Sequence, residues 1–309
     1  MELNTKIKVA GVGGSGSNAV SRMMNCKIKG VELIAVNADA QDLQRAQAHR
    51  KIRIGRKLTK GLGTGMNPKV GKEAAEEQRE EIFEALKDSD IVFVTCGLGG
   101  GCGSGASPVV AEIARKQKAL TIAVVTKPFS FEGIQRMEIA QDALRKLKSE
   151  VDTLITISND KLLSVLEPKT TVSNAFWICD ETLRQAVQGI SDLIVLPGII
   201  NIDFADVKAI MKDSGSALFG IGKARGEGRA KEAVLKALNS PLLDISYKGA
   251  KGILLNVSGG KDISLSEIDE AAKIITQEVS PETKVIFGAI QNEKLKKGEI
   301  KVTVVATGF

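Results

Sequence analysis

The sequence predicts an α/β protein, with a Rossmann-like, mostly parallel sheet joined by a long central helix to a smaller α+β domain. Three observations carry this. Short apolar runs such as Ile91–Val94, Leu120–Thr126 and Thr153–Ile157 alternate with helical stretches through the first half of the chain, the pattern that builds a parallel sheet with helices on both faces. Aliphatic residues dominate and aromatics are scarce, with one Trp and one Tyr, which suits α/β layers better than a β-sandwich. Glycine-rich segments follow several strands, where open α/β sheets bind ligands.

In order, Lys6–Ala10 reads as a strand, Gly11–Gly16 as a tight turn, and Asn18 to about Asn25 as a helix. Val31–Val36 is a second strand, ending at Asn37-Ala38-Asp39. Ile52–Ile54 is a short strand, Gly61–Pro68 a Gly-rich loop, and an Ala- and Glu-rich helix runs from about Pro68 to Lys87. Ile91–Val94 leads into six glycines within Gly97–Gly105, and the next helix is expected near Pro108. A helix after Gly133 reaches about Ser149. Val172 to about Leu196 is a long helix with Phe176, Leu183, Val187 and Ile190 among its apolar positions, stopped by Pro197 and Gly198. Beyond it, Asp203 caps a helix ending near Met211. Helices at Arg229–Leu238 and Leu265–Val279, with strands at Gly252–Val257, Val285–Gly288 and Ile300–Ala306, complete an α+β domain. The expected division is 1–171, a connecting helix 172–196, and 197–309.

A chain of 309 residues is long enough for two hydrophobic cores. No apolar run reaches the ~18 residues of a membrane span, and the N-terminus shows no secretory pattern, so a cytoplasmic protein is expected. Cys26, Cys96, Cys102 and Cys179 lack C-x-x-C spacing, and His49 is the single histidine; no metal-ligand set is expected. The net charge of +6 admits an anionic partner. Its densest basic stretch, Lys294–Lys297, adjoins a Gly and Glu turn and reads as solvated surface, so no nucleic-acid partner is expected.

Glycines between a strand and a helix N-terminus free the backbone for positive φ and present N–H groups to phosphate. One reading is an NAD-dependent oxidoreductase, because Gly11, Gly13 and Gly16 fit G-x-G-x-x-G and Asp39 lies where a dinucleotide fold places its ribose carboxylate. The richer segment at 97–105 is not part of that pattern. No G-x-x-x-x-G-K-[ST] occurs, which excludes an ordinary P-loop NTPase, and His49 has no serine nucleophile and acid arranged around it. Glycine cradles with carboxylates point to nucleotide phosphate chemistry, in which a protein mainly positions and stabilises charge.

Gly99-Gly100-Gly101-Cys102-Gly103-Ser104-Gly105 resembles the GGGTG[ST]G signature of the tubulin/FtsZ superfamily, and Asn201-Ile202-Asp203-Phe204-Ala205-Asp206 resembles the N-x-D-x-x-D catalytic loop of the FtsZ family. Gly13–Val20, Val36–Ala40, Gly61–Gly65 and Lys127–Gly133 extend the likeness, in order, over nearly the whole chain, which looks like the bacterial branch. The resemblance implies a GTPase that hydrolyses GTP to GDP and polymerises head-to-tail into filaments at the division site. It places Gly14, Gly99, Gly100, Gly101, Cys102 and Gly103 around the phosphates, with Mg2+ held through them, and Gly13 and Gly65 in the same nucleotide site. It places Glu132 and Arg136 at the ribose and phosphate region, and Asn18, Asn159, Phe176 and Asp180 at the guanine pocket. For Asp180 the chemistry agrees, since a carboxylate accepts from guanine N1–H and N2–H₂ and adenine offers no such pair. Phe176, one turn earlier, is placed to stack on the base.

The same resemblance gives Asn201, Asp203 and Asp206 to the γ-phosphate held by the next subunit. Distance agrees: ~26 residues separate Asp180 from Asp206, roughly 30 Å if most of them are helical. The implied partners are further copies of the chain, membrane tethers and division regulators. Plainer readings stand beside these: Asp203 as a helix cap, Glu132 and Arg136 as a surface ion pair, Phe176 as core, and a nucleotide-binding scaffold without turnover. Cys102 stands where the family has Thr, Ser15 where Gly is frequent and Met66 where Ala is frequent. A helix N-terminus beside Cys102 is expected to lower its thiol pKa. Val304–Phe309 stands where the folded core of the family ends, ahead of the family's disordered linker and tail peptide.

Overall fold

Strands rich in Val and Ile, buried on both faces, form the frame on which the glycine segments are held. The computed structural model describes residues 5–163, 166, 169–240, 247–292 and 295–309. Met1–Asn4, and Lys294 of the basic stretch, lie outside the described residues. The chain divides into two compact units, Met1–Gln188 and Gly189–Phe309.

The first unit runs β1 (Ile7–Val12), α1 (Gly13–Asn25), β2 (Val31–Asn37), α2 (Ala40–Arg45), β3 (Arg50–Arg53), α3 (Pro68–Glu77) and α4 (Arg79–Leu86). It continues through β4 (Ile91–Gly97), α5 (Gly101–Lys116), β5 (Leu120–Lys127), a 3₁₀ turn at Ser130–Glu132, α6 (Ile134–Glu150), β6 (Thr153–Ser158) and α7 (Asn159–Leu163). Its strands lie in the order β3-β2-β1-β4-β5-β6, every pair parallel. This is the doubly wound order of dinucleotide-binding folds, with a crevice where the order reverses at β1 and β4. Val12, Val36, Val94 and Val125 from the strands pack with Ala106, Val110 and Ile113 of α5 in one core.

Helix α8 (Val172–Val195) is continuous, and the division between the units falls within it. The second unit holds β7 (Gly198–Ile200), α9 (Phe204–Met211), β8 (Gly215–Arg225), α10 (Arg229–Leu238), β9 (Gly252–Gly259), α11 (Leu265–Glu278), β10 (Lys284–Gln291) and β11 (Glu299–Thr307). Its strands lie in the order β8-β11-β9-β10-β7. The β9–β10 pair is parallel and the others antiparallel, giving the expected α+β layer over a second core of Val234, Leu255, Val257, Ile275 and Val302. Buried Arg229 is held there by Asp262 at 2.7 Å and Glu267 at 2.5 Å.

Three local expectations are corrected. The helix expected near Pro108 begins at Gly101, so most of the glycine segment is helix rather than loop. Among its glycines only Gly99 has a positive φ, 99°. Gly101, Gly103 and Gly105 are required by close packing. A Cβ on Gly103 would lie 2.6 Å from Gly97 O, and one on Gly105 would lie 2.1 Å from Pro68 O at the start of α3. Similarly, α1 begins at Gly13 rather than Asn18. The single helix expected from Pro68 to Lys87 is two, broken at Gln78. There Gln78 Oε1 accepts from the Gly55 amide, and the Glu77 carboxylate accepts from Lys57 N and Leu58 N. Strand β8 gave no sequence signal, because Gly220 and Gly222 interrupt its pattern; Cβ atoms there would lie 2.1 and 2.0 Å from carbonyl oxygens of α10.

Gly105→Ala tests the packing account. Local propensity favours alanine in a helix by about 1 kcal/mol, whereas forcing a methyl into a filled site costs about 1–3 kcal/mol or more. Backbone on both sides of Gly105 cannot swing away as a side chain would, so the substitution is expected to destabilise the protein. A urea midpoint equal to or above that of the parent would show that α3 and α5 are not in close contact.

Candidate functional site

At the crevice of the first unit, β1 and β4 are direct neighbours, and each leads into a helix, α1 and α5. Neither helix has a side-chain cap or an acidic residue in its first turn. The first amides of a helix have no intrahelical acceptor and carry partial positive charge. The two ends meet closely enough that a Cβ on Gly13 would lie 2.9 Å from Gly103 N. Two sets of open amides, side by side, make an anion site.

Above them is a cleft of ≈ 620 Å³. Its floor includes Gly14, Gly97, Gly100, Gly101, Cys102 and Gly103, and Gly63, Thr64, Gly65 and Met66 form one rim. At the opposite end stand Asn18, Asn159, Phe176, Cys179 and Asp180. Phe176 is held edge-on against the buried Phe129, with ring centroids 5.3 Å apart and planes at 90°. Asp180 Oδ1 accepts from Ser15 Oγ at 3.0 Å, and Oδ2 lies 3.7 Å from Arg22. Burial pushes the Asp180 carboxyl up to about 6, against the hydrogen bond from Ser15 and the charge of Arg22. Glu132 accepts from Arg136 at 2.7 Å and from Phe129 N at 2.9 Å, so this pair both braces the wall and faces the cleft. Asn159 Oδ1 and Asn37 Nδ2 are buried without a hydrogen-bond partner, one acceptor and one donor left for a ligand.

Of the residues expected around a nucleotide, the structure brings Gly14, Asn18, Gly65, Gly100, Gly101, Cys102, Gly103, Glu132, Arg136, Asn159, Phe176 and Asp180 into one cleft. Gly13 and Gly99 do not line it. Gly13, at φ 73°, starts α1, and the Gly99 amide donates to Ser104 Oγ at 2.9 Å, so these two shape the floor from behind. Asp39, the ribose carboxylate of the dinucleotide reading, caps α2 by accepting from Gln41 N and Asp42 N. Sequence reasoning did not single out Asn37, Asp42, Thr64 or Thr126 as site residues, although all line the cleft. Asn37 was legible as an Asn at the C-terminal end of a strand; Asp42 and Thr126 carried no signal.

Cys102 requires a correction. It sits within the first turn of α5, not in a loop before the helix, and burial pushes its thiol up to about 11 rather than down. Desolvation outweighs the hydrogen bonds with the Ala38 and Gly13 backbone, and at neutral pH the group is a thiol, not a reactive thiolate.

Asn201, Asp203 and Asp206 do not line the cleft. In the second unit, Asp203 is the cap of α9, as the plainer reading had it: its Oδ1 accepts from Asp206 N at 2.8 Å. Asp206 closes the capping box with a long 3.5 Å contact to Asp203 N, and Asn201 Oδ1 accepts from Gly198 N at 2.7 Å. Asn201 and Asp203 are exposed and Asp206 partly so. A hollow of ≈ 660 Å³ elsewhere in this unit is a surface groove over Ile221 and Leu235, walled by Lys231, Glu232 and Lys236.

A doubly wound sheet with two uncapped helix ends beneath a carboxylate-walled cleft defines a nucleotide-binding protein of the α/β class, one that offers backbone amides to an anion rather than a P-loop lysine. The family model described as "Tubulin/FtsZ family, GTPase domain" matches residues 6–167, and that described as "FtsZ family, C-terminal domain" matches residues 215–309. The chain is 52% identical over 307 residues to "Cell division protein FtsZ 1" of Thermococcus kodakarensis, covering 99% of this chain and 82% of that one. It is similar to the structure "FtsZ dimer, empty (M. jannaschii)", with a TM-score of 0.96, 48% identity, and coverage of 100% of this chain and 89% of the other. A fold likeness extends to "CetZ2 from Haloferax volcanii - GTPgS bound protofilament" at 22% identity and a TM-score of 0.82, covering 98% and 92%. The chain belongs to the tubulin/FtsZ family and is a GTPase of its FtsZ branch. Membership sets aside both the dinucleotide oxidoreductase and the scaffold without turnover.

Proposed function

We propose that the chain assembles head-to-tail into filaments that serve cell division, and that its GTPase site is complete only between successive subunits. The observation that carries this is the separation of parts. The cleft is lined wholly by residues between Gly14 and Asp180, whereas Asn201, Asp203 and Asp206 stand at the exposed start of α9. Asp180 is fifteen residues from Val195, the end of the continuous α8, a rise of about 22 Å along that helix alone.

In this reading the amides of α1 and α5 hold the phosphates, and the Gly65 rim closes over them. Phe176 stacks on guanine, and Asp180 and Asn159 read its edge. Asp203 and Asp206 of the next copy polarise the attacking water, with Asn201 positioning it. Mg2+ fits as an ion held by nucleotide oxygens and water, since no cluster of three His, Cys, Asp or Glu suited to a metal exists among the described residues. The division of labour is a GTP-binding domain at 1–171, a connecting helix at 172–196 and a catalytic-loop domain at 197–309. Names of relatives support division and self-assembly: one is a cell division protein and another a dimer. No helix among the described residues is long and apolar enough to cross a membrane. The family resemblance adds separate tether and regulator proteins that act on the chain at the division site, in the cytoplasm.

The test is phosphate release per subunit as a function of protein concentration, with light scattering in parallel. The expected result is a rate near zero below a threshold concentration, rising where scattering appears. A constant rate on dilution would sink the proposal. It would transfer the catalytic role to a carboxylate of the cleft itself, Asp42, whose Oδ2 would lie 3.2 Å from a Cβ on Gly14.

A further inference from the structure

Asp180 is carried by α8, but what holds it comes from α1. Ser15 and Arg22 are seven residues apart, two helical turns, and so share a face of that helix. Ser15 Oγ donates to Asp180 Oδ1 at 3.0 Å and Arg22 Nη2 lies 3.7 Å from Oδ2. Arg22 is itself seated on Trp177, one turn before Asp180, with its guanidinium carbon 4.9 Å from the ring centroid. We propose that Ser15 and Arg22 are positioning residues for base selection, keeping the Asp180 carboxylate ionised and aimed into the cleft. This rests on the reading of Asp180 as the guanine-contacting group.

The chemistry turns on lone pairs. An ionised carboxylate offers about four acceptor sites. Ser15 donates to one oxygen and Arg22 sets its charge 3.7 Å from the other, leaving acceptors on both oxygens for guanine N1–H and N2–H₂. A protonated carboxyl presents one O–H donor and one acceptor. That pair opposes the two donors of guanine and matches adenine, whose N1 accepts and whose N6–H₂ donates. The protonation state of Asp180 therefore chooses the base. Burial favours the neutral form and places the carboxyl at about 6, with Ser15 and Arg22 as the opposing influences. The other charged groups of the cleft are Asp39 and Asp42, beside α2, and the Glu132–Arg136 pair. On α8 itself, burial pushes the Cys179 thiol up to about 12, so it stays neutral. Burial also raises neighbouring Glu181, but its hydrogen bonds from Arg184 and Gln185 outweigh this and hold it low. None of these groups donates a hydrogen bond to Asp180, so Ser15 and Arg22 are the levers.

The experiment measures GDP and ADP affinities from pH 5 to 8.5, below the assembly threshold, for the parent, Ser15→Ala, Arg22→Gln and Arg22→Lys. In the parent, the GDP-over-ADP preference is expected to fall as pH drops through about 6. Ser15→Ala and Arg22→Gln are each expected to move that midpoint up by about one pH unit and to cut the preference at pH 7 by about tenfold, with recovery at pH 8.5. Arg22→Lys keeps the charge and should stay near the parent. A merely structural role would weaken both nucleotides alike at every pH. Midpoints and preferences unchanged in Ser15→Ala and Arg22→Gln would overturn the proposal. Asp180→Asn separates the two levels: if it abolishes the preference while the Ser15 and Arg22 variants do not, only the positioning role fails. If it leaves the preference intact, Asp180 does not read the base.

Discussion

Replacing Asp206 by Asn is expected to lower the rate of GTP hydrolysis in assembled filaments by about 10²–10⁴-fold, the usual worth of a group that accepts or orients a reacting proton. Nucleotide binding should be unchanged, because the cleft in which it occurs does not include Asp206. Asparagine is the right probe for a structural reason. Asp206 is the third residue of a capping box, accepting from Asp203 N while Asp203 accepts from Asp206 N. An asparagine carbonyl can still accept that bond, so α9 keeps its start, whereas alanine would remove chemistry and cap together. Asp203→Asn is equally conservative, since Asn and Asp are comparable N-caps. The measurement is phosphate release at a protein concentration where scattering reports filaments. A rate within threefold of the parent would remove Asp206 from the catalytic machinery and leave it as a cap.

The second large effect is on selectivity. Asp180→Asn is expected to reduce the GDP-over-ADP preference by about 10²–10³-fold, because it converts two charge-assisted acceptors into one neutral acceptor and one donor. The amide donor then faces the donors of guanine, and adenine gains a partner. Stability should change little or rise, since a carboxylate whose burial already opposes ionisation is replaced by a neutral group of the same shape. Competition between GDP and ADP for the cleft, followed by equilibrium titration, gives the ratio directly. An unaltered ratio would assign base recognition to Asn159 and the Phe176 face.

The two sites differed in how readable they were. Asn201, Asp203 and Asp206 could be singled out because the motif that carries their family resemblance is local, and the structure adds that two of them form a cap. The nucleotide cleft was legible through its glycines, but for an incomplete reason. Freedom of φ explains Gly99 alone within the Gly97–Gly105 segment. Gly101, Gly103 and Gly105 are glycine because other backbone or side-chain atoms lie 2.1–2.6 Å from where their Cβ would be. Of those neighbours, Pro68 and Thr64 belong to other segments, and Gly97 is the last residue of β4. The misplaced helix start near Pro108 has the same origin, since glycine's poor intrinsic propensity hides a helix whose close packing requires it.

By itself the sequence determined the alternation of strands and helices and the mixed character of the second unit, and through its family motifs it named many, though not all, of the residues that face the cleft. Hydrophobic period and motif spacing are local properties that need no partner. What the tertiary structure decided is the state of the groups once they are there. It put the α1 and α5 ends against each other, so that two sets of open amides face one cleft. It kept Cys102 a thiol, and it left Asp180 balanced near neutrality between burial and its partners on α1. Desolvation and close approach depend on residues distant in the chain, so neither could be read from the residues that experience them.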